Sequence, residues 1–277
     1  LYLSSQDETE TISWPVGQFS KKNRKKEGIM SVKIGINGFG RIGRNIFRAL
    51  SEDEAFADME VVGINDLTDN KTIAHLLKYD SIMGVSKADI TSSDKGIVVD
   101  GREIKVSNHR NPADISWKET GAEYILECTG FFRDQDSAGA HIDAGASKVI
   151  ISAPAKGESD GVPYVVLVVN DHVIKKEDVI ISNSSCTTNN VAPLIMILDR
   201  LWGIEKGFIT TVHSYTRDQN LLDAPHKDLR RARAAAYSIV PTTTGAAKAA
   251  TRIFPHLENN LGGAGIRVPV PDGSLTD

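Results

Sequence analysis

Cys186 and His213 are the two side chains of this sequence best suited to share a chemical step. The stretch Ser182-Asn183-Ser184-Ser185-Cys186-Thr187-Thr188-Asn189-Asn190 follows an apolar strand-like run at 179–181. It opens a helix-like run through Val191, Leu194, Ile195 and Leu198. Ser185 is a fair N-cap, which would put Cys186 in the first turn of a helix. Free backbone N–H groups and the positive end of the helix dipole favour a thiolate there. A second apolar run, 208–212, ends in His213, which is then well placed to arrive from a neighbouring strand. A thiol at a helix start beside a histidine at a strand end is the layout of an activated sulfur nucleophile. Most lone cysteines are small buried hydrophobes. The hydroxyl- and amide-rich surroundings of Cys186 argue for chemistry instead.

The elements that must position this pair begin far upstream. Residues 32–36 alternate as a strand. Asn37-Gly38-Phe39-Gly40-Arg41-Ile42-Gly43 follows at once, and a helical pattern continues through Ile46, Phe47 and Leu50. This is G-x-G-x-x-G with a strand before it and a helix after it, the context that makes the motif a dinucleotide site. Gly38 permits the tight turn, Gly40 lets the backbone approach a pyrophosphate, and Gly43 lets helix and strand pack closely. N–H groups at the helix start would hold the phosphates. A second strand, 59–64, ends at Asn65-Asp66. Asp66 would accept hydrogen bonds from the adenosine ribose hydroxyls and repel a 2′-phosphate, which favours NAD over NADP. A helix is expected over 67–79, and a hairpin around Asp100-Gly101. Strands at 124–128 and 148–152 bring Thr129, Gly130 and Ser152 to the sheet edge where such ligands lie. Cys128 sits inside its strand and reads as core.

Downstream of His213, a polar, Arg-rich stretch spans 215–233, long enough to suggest a functional loop. Pro241-Thr242-Thr243-Thr244-Gly245 and Arg267-Val268-Pro269 follow. Hydroxyls and arginines together suit phosphate oxygens. With Thr187 and Thr216 they suggest an anion site beside the thiol. NAD, a thiol and a histidine fit one reaction class. The thiolate attacks an aldehyde to give a hemithioacetal, hydride leaves to the nicotinamide, and an acceptor releases the acyl group from the resulting thioester. His213 would take the thiol proton and then steady the tetrahedral oxygen.

At 277 residues the chain can bury a large core and holds two domains. A net charge of −4 points to neither nucleic acid nor membrane. The two cysteines form no disulfide framework and suit a reducing, cytoplasmic setting. No apolar run approaches the roughly 20 residues of a membrane span. Residues 1–29 show no period and include a basic cluster at 21–26. They read as upstream sequence translated ahead of a natural start at Met30, with a disordered basic tail as the rival. RNA binding through that cluster is weak, because no aromatics interleave it.

These motifs resemble the phosphorylating glyceraldehyde-3-phosphate dehydrogenases of glycolysis, bacterial type. The likeness runs from about Met30 onward through Asn37–Arg44, Asn65-Asp66, Ser185–Asn189, His213–Thr216 and Thr244–Lys248. It implies an α/β fold: an N-terminal Rossmann-like NAD-binding domain over 30–185, then an α+β catalytic domain over 186–277, incomplete at its C-terminus. It implies Cys186 as nucleophile and His213 as activator, with Arg41, Ile42, Asp66, Arg110 and Ser152 as NAD contacts. Ser185, Thr187, Thr244 and Gly245 would hold inorganic phosphate or substrate near the thiol. Thr216 and Arg267 would hold the substrate's C3 phosphate, with Arg231 nearby on a mobile loop. The substrates would be D-glyceraldehyde 3-phosphate and inorganic phosphate, the product 1,3-bisphosphoglycerate, and the full-length assembly a homotetramer with the 215–233 loop at its interface. Asn190 departs from the second cysteine or small residue of many relatives. The family's catalytic domain continues past Asp277, so the chain as written is expected to leave a sheet edge unpaired and to be aggregation-prone and weakly active. An erythrose-4-phosphate dehydrogenase is the alternative within the class. A catalytically silent NAD-binding fragment is the alternative outside it.

Overall fold

In chain order the elements are β1 (Val32–Asn37), α1 (Arg41–Glu52), β2 (Met59–Asn65), α2 (Asn70–Lys78), β3 (Tyr79–Asp80), β4 (Gly84–Val85), β5 (Ile90–Ser92), β6 (Gly96–Val99) and β7 (Arg102–Ser107). Then come α3 (Trp117–Thr120), β8 (Tyr124–Glu127), α4 (Gln135–Asp143), β9 (Lys148–Ile151), β10 (Ile180–Ser182), α5 (Cys186–Trp202), β11 (Gly207–Ser214), β12 (Val240–Thr242), α6 (Ala246–Ile253), β13 (Leu261–Val268) and β14 (Leu275–Thr276). This computed structural model describes residues 31–157 and 161–277. The expected leader, 1–29, lies outside the described residues.

Eight strands form the first sheet in the order β10-β9-β8-β1-β2-β7-β6-β5. From β10 to β7 all neighbours are parallel, and β6 and β5 add an antiparallel edge. Parallel strands need covering on both faces, which explains their near-continuous apolar runs. Ile34, Ile36, Phe47, Ile64, Ile73 and Leu77 form one buried cluster with the hairpin residues Ile97 and Ile104. Trp117, Ile125, Ala138, Val149, Ile151 and Ile180 form another. Parallel strands also place their carboxyl ends together, so Asn37, Asn65, Ser107, Glu127 and Ser182 share one edge.

The helix expected over 67–79 is shorter, because Asp69 accepts from Thr72 N at 2.9 Å and so caps it one residue before Asn70. The β6–β7 hairpin turns through Asp100 and Gly101, both at positive φ (49° and 80°), as an Asp-Gly turn requires.

The second sheet has the order β12-β13-β11-β14. Its core partners are Val191 and Ile195 of α5, Ile209, Ala247 and Ala250 of α6, and Leu257. His213 arrives at the end of a strand, β11, that belongs to the second sheet, whereas β10, the strand before Cys186, ends the first. α5 carries the chain across between them.

Val168 occupies the left-handed region (φ 69°) while 76 % exposed. A β-branched residue there is strained by roughly 1–3 kcal/mol, and exposure means its side chain contributes little packing. Val168→Gly is therefore expected to raise the melting temperature by about 2–4 °C, the shift that about 1 kcal/mol produces in a chain of this size. Scanning calorimetry showing no rise or a fall would refute the strain argument.

Candidate active site and cofactor crevice

The thiol is delivered by a bent entry into α5. Ser182 Oγ donates to Ala153 O at 2.8 Å and accepts from Ser184 N at 3.2 Å, fixing the strand end. Ser184, 2 % exposed, then takes φ 59°, and this left-handed residue redirects the chain. Ser185 caps α5 as expected, its Oγ accepting from Thr188 N at 3.0 Å. Asn189 Nδ2 donates back to Asn183 O (2.8 Å) and Ser185 O (3.0 Å), so the turn is held from both ends. Cys186 emerges exposed on the first residue of the helix.

His213 Nε2 lies 3.4 Å from Cys186 Sγ. Its Nδ1 lies 2.7 Å from Ser214 O, and a carbonyl can only accept. Nδ1 therefore carries a proton, and Nε2 is left free to take the thiol's. Arg267 Nη1 stands 3.2 Å from Nδ1 but donates to Ser214 O (3.0 Å) and Thr216 Oγ1 (3.2 Å). Strand register sets this up, because β11 and β13 are parallel with His213 directly opposite Arg267. The histidine hydrogen bond pulls the Cys186 thiol down to about 7 from its ordinary 9.0, against partial burial; the charge on His213 and the hydroxyl and amide of Thr187 assist. The helix N-terminus acts in the same direction. Cys128 is the contrast: burial pushes it up to about 12, as its core assignment implies.

The anion-binding candidates fall into a second cluster. Arg231 Nε donates to Thr242 Oγ1 (2.8 Å), Nη1 to Asp218 Oδ2 (2.6 Å) and Nη2 to Thr243 O (3.1 Å). This pins the long loop to the end of β12. Burial first, then repulsion from Arg231, lowers the proton affinity of Arg267, with Asp218 and Cys186 opposing. The two arginines, the acid and the thiol thus lie within electrostatic reach of one another. Thr244 Oγ1 accepts from Ala246 N at 3.2 Å. Gly245 opens α6 without a side-chain cap, leaving backbone donors there for a ligand. Asp218 is the member that sequence reasoning missed; within a charge-rich run nothing marks which acid turns inward.

In the first sheet, Gly38 has φ 88° and packs against Thr129, whose N and Cγ2 would lie 2.8 Å from an added Cβ. A Cβ on Gly43 would fall 2.3 Å from Gly38 O. Above Gly40 nothing stands within 4 Å, and α1 starts there without a side-chain cap. Open space over uncapped N–H groups fits a pyrophosphate. Asp66 sits at this loop, Oδ2 accepting from Phe39 N (2.7 Å) and Oδ1 from Thr68 N (2.9 Å). Arg41 pairs with Asp80 at 2.9 Å, Ile42 is half exposed beside it, and Arg110 is exposed beyond β7. Gly130 is at φ 77°, and Ser152 Oγ donates to Glu127 O at 3.0 Å, so both lie at the same edge as Thr129. The residues present therefore fit a dinucleotide.

Two family models match the chain: "Glyceraldehyde 3-phosphate dehydrogenase, NAD binding domain" over residues 32–135, and the C-terminal domain of the same enzyme over 185–277. Among curated proteins, the glyceraldehyde-3-phosphate dehydrogenase of Streptomyces coelicolor is 55 % identical over 248 residues, covering 90 % of this chain and 73 % of the relative. That of Geobacillus stearothermophilus is 52 % identical, covering 90 % and 72 %. That of Mycobacterium tuberculosis is 53 % identical over 252 residues, covering 90 % and 74 %. Among the described residues no helix is long and apolar enough to cross a membrane.

Proposed function

The chain belongs to the glyceraldehyde 3-phosphate dehydrogenase family, and from that premise we propose how its own residues carry the NAD-dependent oxidation of D-glyceraldehyde 3-phosphate to 1,3-bisphosphoglycerate. The observation that carries the reading is the 3.4 Å approach of His213 Nε2 to a thiol already lowered to about 7. His213 takes the proton from Cys186, and the thiolate bonds to the aldehyde carbon. The imidazolium Nε2–H then faces the new tetrahedral oxygen, steadies its charge and passes it the proton, leaving a hemithioacetal hydroxyl and a neutral His213. NAD, when bound along α1, supplies the hydride acceptor. His213 takes the hydroxyl proton as the thioester forms on Sγ. Phosphate attacks that thioester carbon, the C–S bond breaks, and the thiolate is regenerated.

The glycine turn, Arg41, Ile42, Asp66, Arg110, Thr129, Gly130 and Ser152 are assigned to the cofactor. Arg267 and Thr216, already hydrogen-bonded, are assigned to the C3 phosphate, with Arg231 displaced from Asp218 when that anion arrives. Ser185, Thr187, Thr244 and Gly245 are assigned to the attacking phosphate. The boundary between cofactor and catalytic domains falls at the Ser185 cap. A homotetramer accords with the exposed Leu221, Leu222 and Leu229 of the long loop, an apolar surface that a neighbouring copy would cover; sedimentation equilibrium returning a monomer would remove that assignment.

Turnover is the direct test. NADH absorbance should rise steadily only when the aldehyde, NAD and inorganic phosphate are all present, and should stop after at most one equivalent per thiol when phosphate is omitted. Steady turnover without phosphate would exclude the acyl-phosphate product.

A further inference from the structure

Beneath the cofactor crevice lies a chain of buried polar side chains that no step above uses. Glu127, at the carboxyl end of β8, is fully buried (0 %), as is His141 of α4. Trp117, 1 % exposed, donates its indole N–H to His141 Nδ1 at 2.9 Å. An indole nitrogen can only donate, so Nδ1 is the acceptor and the ring proton sits on Nε2. Nε2 faces Glu127 Oε2 at 3.1 Å. The same oxygen accepts from Asn37 Nδ2 at 2.6 Å. Oε1 accepts from Thr129 N at 2.8 Å and from Thr129 Oγ1. An acceptor-only carboxylate thus meets four donors, the one arrangement that makes a buried carboxylate tolerable.

The chain extends sideways across the sheet edge. Asn65 Nδ2 donates to Asn37 Oδ1 (2.8 Å) and His109 O (2.9 Å), and Asn65 Oδ1 accepts from His109 N (2.9 Å) and Ser107 Oγ (3.0 Å). One linked set of side chains therefore ties the carboxyl ends of β7, β2, β1 and β8. Two of its members, Asn37 and Thr129, form the floor and wall of the Gly38 turn, since an atom added to Gly38 would strike Thr129.

We propose that Glu127 is a positioning residue for NAD: it sets Thr129 and Asn37, and through them the Gly38 turn, in the cofactor-ready arrangement, with Trp117 and His141 fixing the proton that faces it. Glu127 touches no reacting atom. The inference rests on the family reading for its ligand and extends it to residues of this chain that the reading does not assign.

The variants separate positioning from bulk stability. Glu127→Gln keeps the shape but turns an amide N–H₂ toward donors. His141→Leu removes both imidazole bonds. His141→Gln keeps one acceptor for Trp117 and one donor for Glu127. Calorimetry with NAD on the whole chain should show Kd raised roughly 10- to 100-fold by the first two, the scale of stranding buried donors, and by less than about threefold for His141→Gln. Alkylation of Cys186 by iodoacetamide without cofactor should be unchanged in all three, which a general loss of structure would not permit. Should Glu127→Gln fail to fold, Trp117→Phe removes the single donor that fixes the His141 proton facing Glu127 and should cost roughly threefold to tenfold. Parent-like NAD affinity in Glu127→Gln and His141→Leu, or thiol reactivity falling in step with affinity, would overturn the proposal. Failure of the parent chain to bind NAD would overturn both the proposal and the reading beneath it.

Discussion

Exchange of His213 for Asn is expected to move the midpoint of Cys186 alkylation from about 7 up toward 9.0. The largest single cause holding the thiol low is the hydrogen bond from His213, and its positive charge adds to this. Asn keeps a polar group but can neither accept the proton nor carry the charge. At pH 7 the thiolate fraction would drop from about half to about 1 %. The direction follows from the sign of the shift: the thiolate forms as pH rises through the thiol's own value, so the variant regains alkylation rate in alkaline buffer. Turnover suffers more, because the same imidazole serves as base and then as oxygen stabiliser, and kcat/KM should fall roughly 10²- to 10⁴-fold. Cys186→Ser should take NADH formation to background at every pH. Iodoacetamide titration of the Asn variant, with NADH assays of both variants, across roughly pH 5–10 checks the pair. An unshifted midpoint in the Asn variant would assign the low value to the α5 N-terminus instead.

Gly43→Ala is expected to weaken cofactor binding sharply. The added Cβ falls 2.3 Å from a backbone oxygen, that of Gly38, and a backbone atom cannot rotate aside as a side chain can. Overpacking of this kind costs about 1–3 kcal/mol. Because the atom struck belongs to the turn itself, most of that cost appears as lost NAD affinity, roughly 10- to 100-fold. Gly40→Ala is the control, since nothing stands within 4 Å of its added carbon in the protein itself. Its melting temperature should stay put while NAD binding weakens, because the carbon fills space meant for the ligand. Calorimetric Kd values beside melting curves separate the two cases. If Gly43→Ala retains parent affinity, the close approach of α1 to the turn is not what holds the cofactor.

Local chemistry made much of this legible before any coordinates. The Ser185 cap, the Asp100-Gly101 turn, the glycine run after β1 and the strand endings at Asp66 and Thr129 are decided by near neighbours in the chain. Residue type and spacing carry that information directly. The Asp69 cap is equally local, although the helical pattern begins ahead of it.

Residue type and spacing alone carried the family resemblance, the candidacy of Cys186 and His213 as a reacting pair, and the glycine turn. Only the folded structure shows that the strand carrying His213 lies in a second sheet, apart from the strand that precedes the thiol. It also decided that Arg267 lies opposite His213, that Asp218 neutralises Arg231, and that Glu127 is buried among four donors with His141 and Trp117 behind it. The reason is physical: each of these contacts joins residues distant in sequence, and parallel register or helix packing selects the partner. No local preference of either residue records that choice.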